Sequence, residues 1–325
     1  MAHVPLPRSC CRVLNRLREI SAPHILLQLV AWVFLAGLVL DQPGLDTVEF
    51  FAGRGALTES FRGRGFNGYA YEILTGGITH DFTSKSGFVH AIRLVLNTCP
   101  GGLIWLGVVC SSWVFMSRSS TGRRDTCILG SPFPGVLAGN IMASRAALII
   151  YLAEALGHVV IVEQPSSSLL RFHPRLQEVI GRIQIFLHSL RLGHYMADSA
   201  KPLVLMSNVS WLGFALNQHR CRDWCPSSQT VYRRHIDEAG VRRTTGDTGL
   251  KGTQTYPLQF GLAVAFAYRE HAAGLRARAT CILESSADSI DLVWLWSPAQ
   301  DLWHDAILAP VFEMLREIRN RGAVA

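Results

Sequence analysis

The chain predicts a doubly wound α/β protein whose mostly parallel sheet carries helices on both faces. Short runs that are apolar throughout, "TVEFF", "GGLIWLGVV" and "HVVIVEQP", alternate with longer amphipathic stretches. Strands with no polar face have to be covered on both sides, which is the condition of a parallel sheet with crossover helices. The first such run also turns on glycines directly into a helix, the local geometry with which open α/β sheets approach a ligand.

Taken in order, "TVEFF" predicts a strand, "ALTESFRGR" a helix, "GYAYEI" a strand, "GFVHAIRLVLN" a helix and "GGLIWLGVV" a strand. After a polar loop, "NIMASRAALIIYLAEAL" has helical spacing and "HVVIVEQP" is a strand. "PRLQEVIGRIQIFLHSL" reads as one helix opened by Pro174. "GHYMA" and "KPLVLMS" read as a terminal hairpin, and "YPLQFGLAVAFAYREHAAGL" as a helix capping the domain. No internal repeat or low-complexity linker interrupts this pattern. The expected organisation is an N-terminal segment over residues 1–45, a core domain over 46–275 and a C-terminal tail with an amphipathic helix over 276–325.

A chain of 325 residues, 49% hydrophobic and 17% charged, is long and apolar enough for a sizeable core and excludes a disordered chain. Its formal charge of +7, from 31 Lys and Arg against 24 acids, suits a polyanionic partner such as DNA or RNA. The eight cysteines do not repeat at framework spacings and read as the reduced thiols of an intracellular protein. Cys221 and Cys225, close to His219 and His235, fit a zinc pattern poorly, so no metal is expected. Near the N-terminus, "HILLQLVAWVFLAGLVL" follows Arg8, Arg12, Arg16 and Arg18, and neither an acid nor a Lys or Arg stands between Glu19 and Asp41. That segment reads either as a membrane anchor or targeting helix, or as a buried helix covering one edge of the domain.

The stretch "TVEFFAGRGALTESFRGRGFNGYAYEI", Thr47 to Ile73, orders a strand, a glycine turn at Gly53 and Gly55, a helix, and a second strand ending on Glu72. A carboxylate at that place binds ribose hydroxyls of a dinucleotide or of S-adenosylmethionine. F-A-G-R-G lacks the third glycine of the dinucleotide fingerprint, which favours the methyl donor over a nicotinamide cofactor and argues against an oxidoreductase. Asp81 in "THDF", Cys110 just past a buried strand and Glu163 at the end of another complete the set of chemistry-bearing residues. A carboxylate that ends a buried strand and precedes a proline is costly without a function. Trp113, Phe115 and Arg118 form either a stacking platform for a base or ordinary packing.

This order of F-x-G-x-G, acid, Asp, strand-Cys and strand-Glu-x-Pro resembles the cytosine-5 DNA methyltransferases. The segments Cys110 to Trp113, Glu163 to Ser168 with His173 to Arg175, Lys201 to Leu212, and Tyr256 to Val264 resemble more closely still an uncharacterised methyltransferase-like family. The resemblance covers Thr47 to about Arg269 and implies a Rossmann-like, S-adenosylmethionine-dependent methyltransferase fold. It implies that Phe51, Gly53 and Gly55 hold the methionine end of the cofactor, Glu72 its ribose and Asp81 its adenine amino group. Cys110 would attack C6 of a flipped cytosine while Glu163 holds N3 and N4, because C5 becomes nucleophilic only after addition at C6.

The chain departs from that pattern at Val108 and Val109, where the methyltransferases have a proline pair, and at Gln164, where they have asparagine. The supporting arginine pair has four candidates, Arg233, Arg234, Arg242 and Arg243, and the cation that would lower the Cys110 pKa has three, Arg118, Arg123 and Arg124. Too few residues lie between Glu163 and Tyr256 for a large target-recognition domain. The alternative function is therefore a catalytically inactive methyltransferase-like binding or interaction module.

Overall fold

A computed structural model describes residues 6–39, 44–221, 232–236, 238, 240, 242–246, 254–297 and 309–322. Two helices, α1 (Arg8–Glu19) and α2 (His24–Leu35), precede the first strand, β1 (Leu45–Phe50). The chain continues through α3 (Ala56–Arg62), β2 (Gly68–Tyr71), α4 (Lys85–Leu96), β3 (Thr98–Leu106), α5 (Pro134–Ala155) and β4 (Val159–Pro165). It proceeds through α6 (Pro174–Arg182), the strands β5 (Phe186–Arg191) and β6 (Pro202–Ser207), and α7 (Leu212–Gln218). A separate hairpin, β7 (Tyr232–Ile236) with β8 (Arg242–Gly246), precedes α8 (Leu258–Glu284) and α9 (Ala309–Gly322). Local chemistry marks several helix starts: Ser84 accepts from the Gly87 N–H to cap α4, while Pro134 and Pro174 open α5 and α6.

The fold is α/β and doubly wound, as the sequence predicts. Six strands lie in the order β2-β1-β3-β4-β6-β5; β1, β2, β3 and β4 are parallel, and β6 runs antiparallel to both β4 and β5. From β1 the chain moves outward to β2 and then returns to the other side of β1 as β3. That reversal makes a switch point between β1 and β3, and in open α/β sheets the ligand crevice lies outside the carboxyl ends of the strands there.

Alternation along the strands feeds two cores. Val48, Phe50, Ile104, Leu106, Val160 and Val162 pack on one face with α1, α2, α4 and α5, whereas Leu103, Trp105, Val159 and Ile161 pack on the other beneath α3, α7 and α8. The apolar N-terminal segment forms a 12-residue helix, α2, whose side chains from Ile25 to Val33, with the exception of Gln28, are buried in the first of these cores. Val311, Phe312 and Leu315 of α9 join the same core. Among the described residues one helix, α5, is long and apolar enough to cross a membrane; it is the crossover between β3 and β4, and 67% of its apolar window is buried in the protein.

Two elements depart from the expected pattern. The predicted helix over 174–190 ends at Arg182, and its second half is the edge strand β5. "IQIFLHSL" satisfies both periods, because its apolar residues fall at helical spacing and also alternate. The pairing of β5 with β6, over six residues from Phe186↔Ser207 to Arg191↔Pro202, selects the strand. The expected hairpin is therefore β5 with β6, and Leu192–Tyr195 of "LGHY" is a turn of 3-10 helix between them.

Candidate functional site

The connection from β1 to α3 passes through left-handed backbone at three points, of which Phe51 alone is strained. Phe51, Gly53 and Gly55 have φ of 60°, 55° and 69°, in the left-handed region that a residue with a Cβ rarely adopts. For Phe51 this is a genuine backbone outlier, held in place by its ring packing 4.9 Å from Phe82. A Cβ built on Gly53 meets no atom within 4 Å, so the space above the turn is open. Below the turn, Glu49 is 1% exposed; its Oε2 accepts from the Thr58 N–H at 2.8 Å and the Thr58 hydroxyl at 2.6 Å, at the start of α3, while its Oε1 has no partner. Burial pushes the Glu49 carboxyl up to about 7 against those hydrogen bonds, and the charge of Glu72 adds to the rise.

Glu72, at the end of β2, reaches back to this turn. Its Oε2 accepts from the Gly53 N–H at 2.8 Å and its Oε1 from the Leu74 N–H at 3.2 Å. The Glu72 N–H donates to His80 Nδ1 at 3.3 Å, so Nε2 of neutral His80 carries the proton and donates to the Tyr69 hydroxyl at 2.9 Å. Tyr69 in turn donates to His90 Nε2 at 3.2 Å. This one-way chain fixes the backbone of Glu72. Asp81 closes the same loop: its Oδ1 accepts from the Thr83 N–H and hydroxyl at 2.8 and 2.7 Å. Arg145 of α5 anchors the flanking Phe82 and Ser84 carbonyls at 2.9 and 2.6 Å. Ile73, Leu74 and Ile78 stand exposed beside Glu72, Leu74 by 88%.

Glu163 lies in β4 one residue past Val162, the last residue paired with β3, and Cys110 lies in the loop four residues beyond Leu106, where β3 ends. Gln164 bolts the two loops together. Its amide donates to the Val108 carbonyl at 2.5 Å and accepts from the Ser168 hydroxyl at 2.8 Å, and the Leu169 N–H donates to the Trp113 carbonyl at 3.0 Å. Glu163 is 6% exposed; Tyr256 donates to its Oε2 at 2.9 Å, and its Oε1 has no partner. Trp105 donates to the Tyr256 oxygen at 3.2 Å. An indole N–H can only donate, so the tyrosine proton has to point at Glu163. Burial first and Glu163 second push the Cys110 thiol up, and Lys201 opposes them.

Lys201 is thus the cation that acts on Cys110, in place of the three arginines the sequence suggests. Because β6 runs antiparallel to β4, its start lies at the carboxyl end of β4, where the Ser166 N–H donates to the Pro202 carbonyl at 2.9 Å. Arg123 is fully buried, with its guanidinium 3.3 Å from the Trp113 ring centre and bonded to the Ile128 and Val136 carbonyls, Asn140 and Ser112. It braces the Cys110 loop from behind. Arg124 is exposed and turns back on Cys127. Trp113 is fully buried under that guanidinium, so of the expected stacking platform only Phe115 and Arg118 reach the surface. Arg233, Arg234, Arg242 and Arg243 lie on the β7–β8 hairpin. The suggested zinc pattern includes Cys225, which lies outside the described residues; among the described residues no group of three His, Cys, Asp or Glu is arranged to hold a metal.

Of the residues the sequence singles out, Phe51, Gly53, Gly55, Glu72 and Asp81 gather around the switch point, and Cys110 and Glu163 stand at the next strand ends. Sequence reasoning missed the roles of Glu49, Tyr256 and Lys201. Glu49 did leave a signal: it is the one charge in the buried run "TVEFF".

Three histidines titrate far below their ordinary range: burial holds His158 and His90 at about 4 and His173 at about 3. Such groups favour the folded state above about pH 6.5 and lose that contribution as pH falls toward 4, because the unfolded chain takes up the protons first. Glu49, raised on folding, acts oppositely between about 4.5 and 7 but is outnumbered. The melting temperature should therefore fall from pH 7 to pH 4. His158→Asn should flatten the slope by on the order of 3 kcal/mol, the histidine being fully buried. A flat or rising melting curve would contradict the assignment.

Fold and site together define an open, doubly wound α/β protein with charged and nucleophilic side chains gathered at the carboxyl edge of its parallel strands. Comparison with known proteins found no matching family model, no matching curated protein and no matching solved structure.

Proposed function

We propose that the protein is an S-adenosylmethionine-dependent methyltransferase that acts on cytosine in nucleic acid. The observation that carries this reading is the pairing of two sites on one edge: the strained Phe51–Gly55 turn tethered to Glu72 at the switch point, and Cys110 beside Glu163 at the adjoining strand ends. The residues fit the cofactor. Open space above Gly53 admits a close backbone approach, the orphaned Oε1 of Glu49 suits an ammonium group, Glu72 offers a carboxylate to ribose hydroxyls, and exposed Ile73 and Leu74 offer an apolar cover for a flat base. When bound, the cofactor supplies an electrophilic methyl group.

This chain's own residues would do the rest. Glu163 presents its free Oε1 to the amidine-like edge of the base, Tyr256 fixes its other oxygen, and Cys110 is placed to add to the ring. A net charge of +7 supports a polyanionic substrate. One observation favours a second reading, a binding module without methyl transfer: the Cys110 thiol is pushed up rather than activated. Thermal shift with S-adenosylhomocysteine followed by methyl transfer to DNA and RNA separates the two, since a shift without transfer supports the module.

Glu72→Ala should weaken S-adenosylhomocysteine binding by about 1 to 3 kcal/mol, the cost of a hydrogen bond made by a charged group. Calorimetry checks it, and an unchanged affinity in a folded variant removes Glu72 from the site.

A further inference from the structure

We propose that the loops around Cys110 and Glu163 bind single-stranded nucleic acid in preference to duplex, stacking its bases on Phe133 and Phe172 and pairing its phosphates with Arg118, Arg124 and Arg171. The inference rests on the reading of this edge as the site of a nucleic-acid methyltransferase, and it adds the class of strand that the site accepts.

Large apolar side chains stand in water around these strand ends. Val109 and Phe115 follow β3, Leu129, Phe133 and Leu137 lead into and begin α5, and Phe172 follows β4. Phe133 is 57% exposed, Phe172 42% and Phe115 38%. The segments that carry them are bonded together. Arg123 donates to the Ser112 hydroxyl at 3.3 Å and to the Val136 carbonyl at 3.1 Å, which ties the first turn of α5 to the Cys110 loop, and the Ser131 N–H donates to the Thr121 carbonyl at 2.8 Å. On the β4 loop the Leu169 N–H donates to the Trp113 carbonyl at 3.0 Å, and His173, beside Phe172, meets the Trp113 ring edge-on at 5.8 Å. Phe133 and Phe172 thus belong to segments that bond to the Cys110 loop within three residues of the thiol.

Cations are interleaved with the rings. The Arg171 guanidinium lies 4.7 Å from the Phe172 ring centre, and Arg118 and Arg124 belong to the loop that carries Phe115 and Leu129. Among the described residues none of these three arginines makes an ion pair, and Asp125 is the one acid from Cys110 to Ala153. Exposed rings alternating with arginines match a single strand, whose bases present their faces to any aromatic side chain while its phosphates take the guanidinium groups. A duplex hides those faces and turns phosphate and sugar outward, so the same rings would meet a charged backbone and gain no stack. Depth argues in the same direction. Glu163 is 6% exposed, so a base that reaches it has to leave its neighbours, and that separation costs least in a single strand. Among the described residues α6, β5, β6 and α7 all pack in the sheet or its cores, which leaves no helix after Glu163 projecting toward a groove.

The test uses the full chain and no cofactor. Fluorescence anisotropy with labelled oligo-dT, oligo-U and a mixed-sequence DNA duplex, each about 20 nucleotides long, gives the affinities across a salt series. The tighter of the two single strands identifies the sugar, and both should bind about tenfold or more tighter than the duplex. Phe133→Ala and Phe172→Ala should each weaken single-strand binding about fivefold to a hundredfold, the loss of one stacked base, whereas Phe133→Trp should keep it and Phe133→Leu should not. Arg124→Gln should lower the slope of log affinity against log salt by about 0.7, one phosphate contact on a single strand. All these side chains are exposed, and an unchanged melting temperature verifies that each variant is folded. Equal affinity for the duplex, or unchanged affinity in both alanine variants, overturns the inference. So does wild-type binding by Phe133→Leu, which would mark the patch as apolar packing for a protein or a bilayer. Methyl transfer is read separately: single-strand binding without transfer ends the methyltransferase reading and leaves the strand site, and transfer to duplex without single-strand preference does the reverse.

Discussion

A chain beginning at Gly44 is expected to lose its cooperative fold and aggregate. The helices removed, α1 and α2, bury Val13, Leu14, Leu17, Ile25, Leu26, Leu27, Leu29, Val30 and Val33 at 4% exposure or less. At about 1.5 to 3 kcal/mol for each such side chain, their contribution is at least as large as the roughly 5 to 15 kcal/mol that stabilises an ordinary domain. The loss extends to the other end of the chain. Gln28 donates to the Leu295 and Ser297 carbonyls at 2.9 Å, Asn15 donates to those of Ala287 and Ser289, and Trp294 lies between His24 and Arg18. Residues 286–297 would be left with apolar surface in water. Size-exclusion chromatography and thermal melting of the shortened protein check this. A soluble monomer with an unchanged melting temperature would show that α2 is dispensable to the fold and would favour the anchor reading of the segment.

Duplex or single-stranded DNA carrying 5-fluorocytosine is expected to trap a covalent adduct through Cys110 in the presence of S-adenosylmethionine. Sulfur would add to C6 and C5 would receive the methyl group, and because fluorine already occupies the place of the C5 hydrogen, no proton can leave C5 in the elimination that would expel sulfur. Denaturing electrophoresis should show a protein–DNA band that Cys110→Ser abolishes. Glu163→Gln should slow its formation on the order of a hundredfold, as for a hydrogen-bonding group aimed at the developing charge. Because burial and Glu163 push the Cys110 thiol up, adduct formation is expected to speed up as pH rises. No adduct on either substrate, with cofactor binding intact, ends the cytosine mechanism and leaves the binding module or another methyl acceptor.

How much of this was legible beforehand depends on the distance in sequence between a residue and what it touches. The parallel character of β1, β3 and β4 was readable because short runs such as "LIWL" and "VVIV" have no polar face and alternate with longer amphipathic stretches, the pattern of strands covered on both sides. The Phe51–Gly55 turn and Glu72 were readable because a strand, a glycine turn and a terminal carboxylate lie within one short stretch. The division of 174–191 into α6 and β5 was not, since "IQIFLHSL" fits both periods and only β6, more than ten residues on, decides between them.

The site divides in the same way. Sequence alone determined that Cys110 and Glu163 stand at strand ends, because each follows a buried apolar run, and that those ends share an edge, because α5 is a crossover of sufficient length. Only the tertiary structure decided the rest. Lys201 acts electrostatically on Cys110 because β6 runs antiparallel beside β4, a matter of sheet order that no local pattern encodes. Arg123 is a brace because Trp113, Asn140 and the Val136 carbonyl close around it. Tyr256 finds Glu163 across 93 positions. Periodicity reports which face of an element is apolar, whereas the partner of a buried charge is chosen by packing, where every unpaired polar atom costs free energy and the chain brings distant donors to meet it.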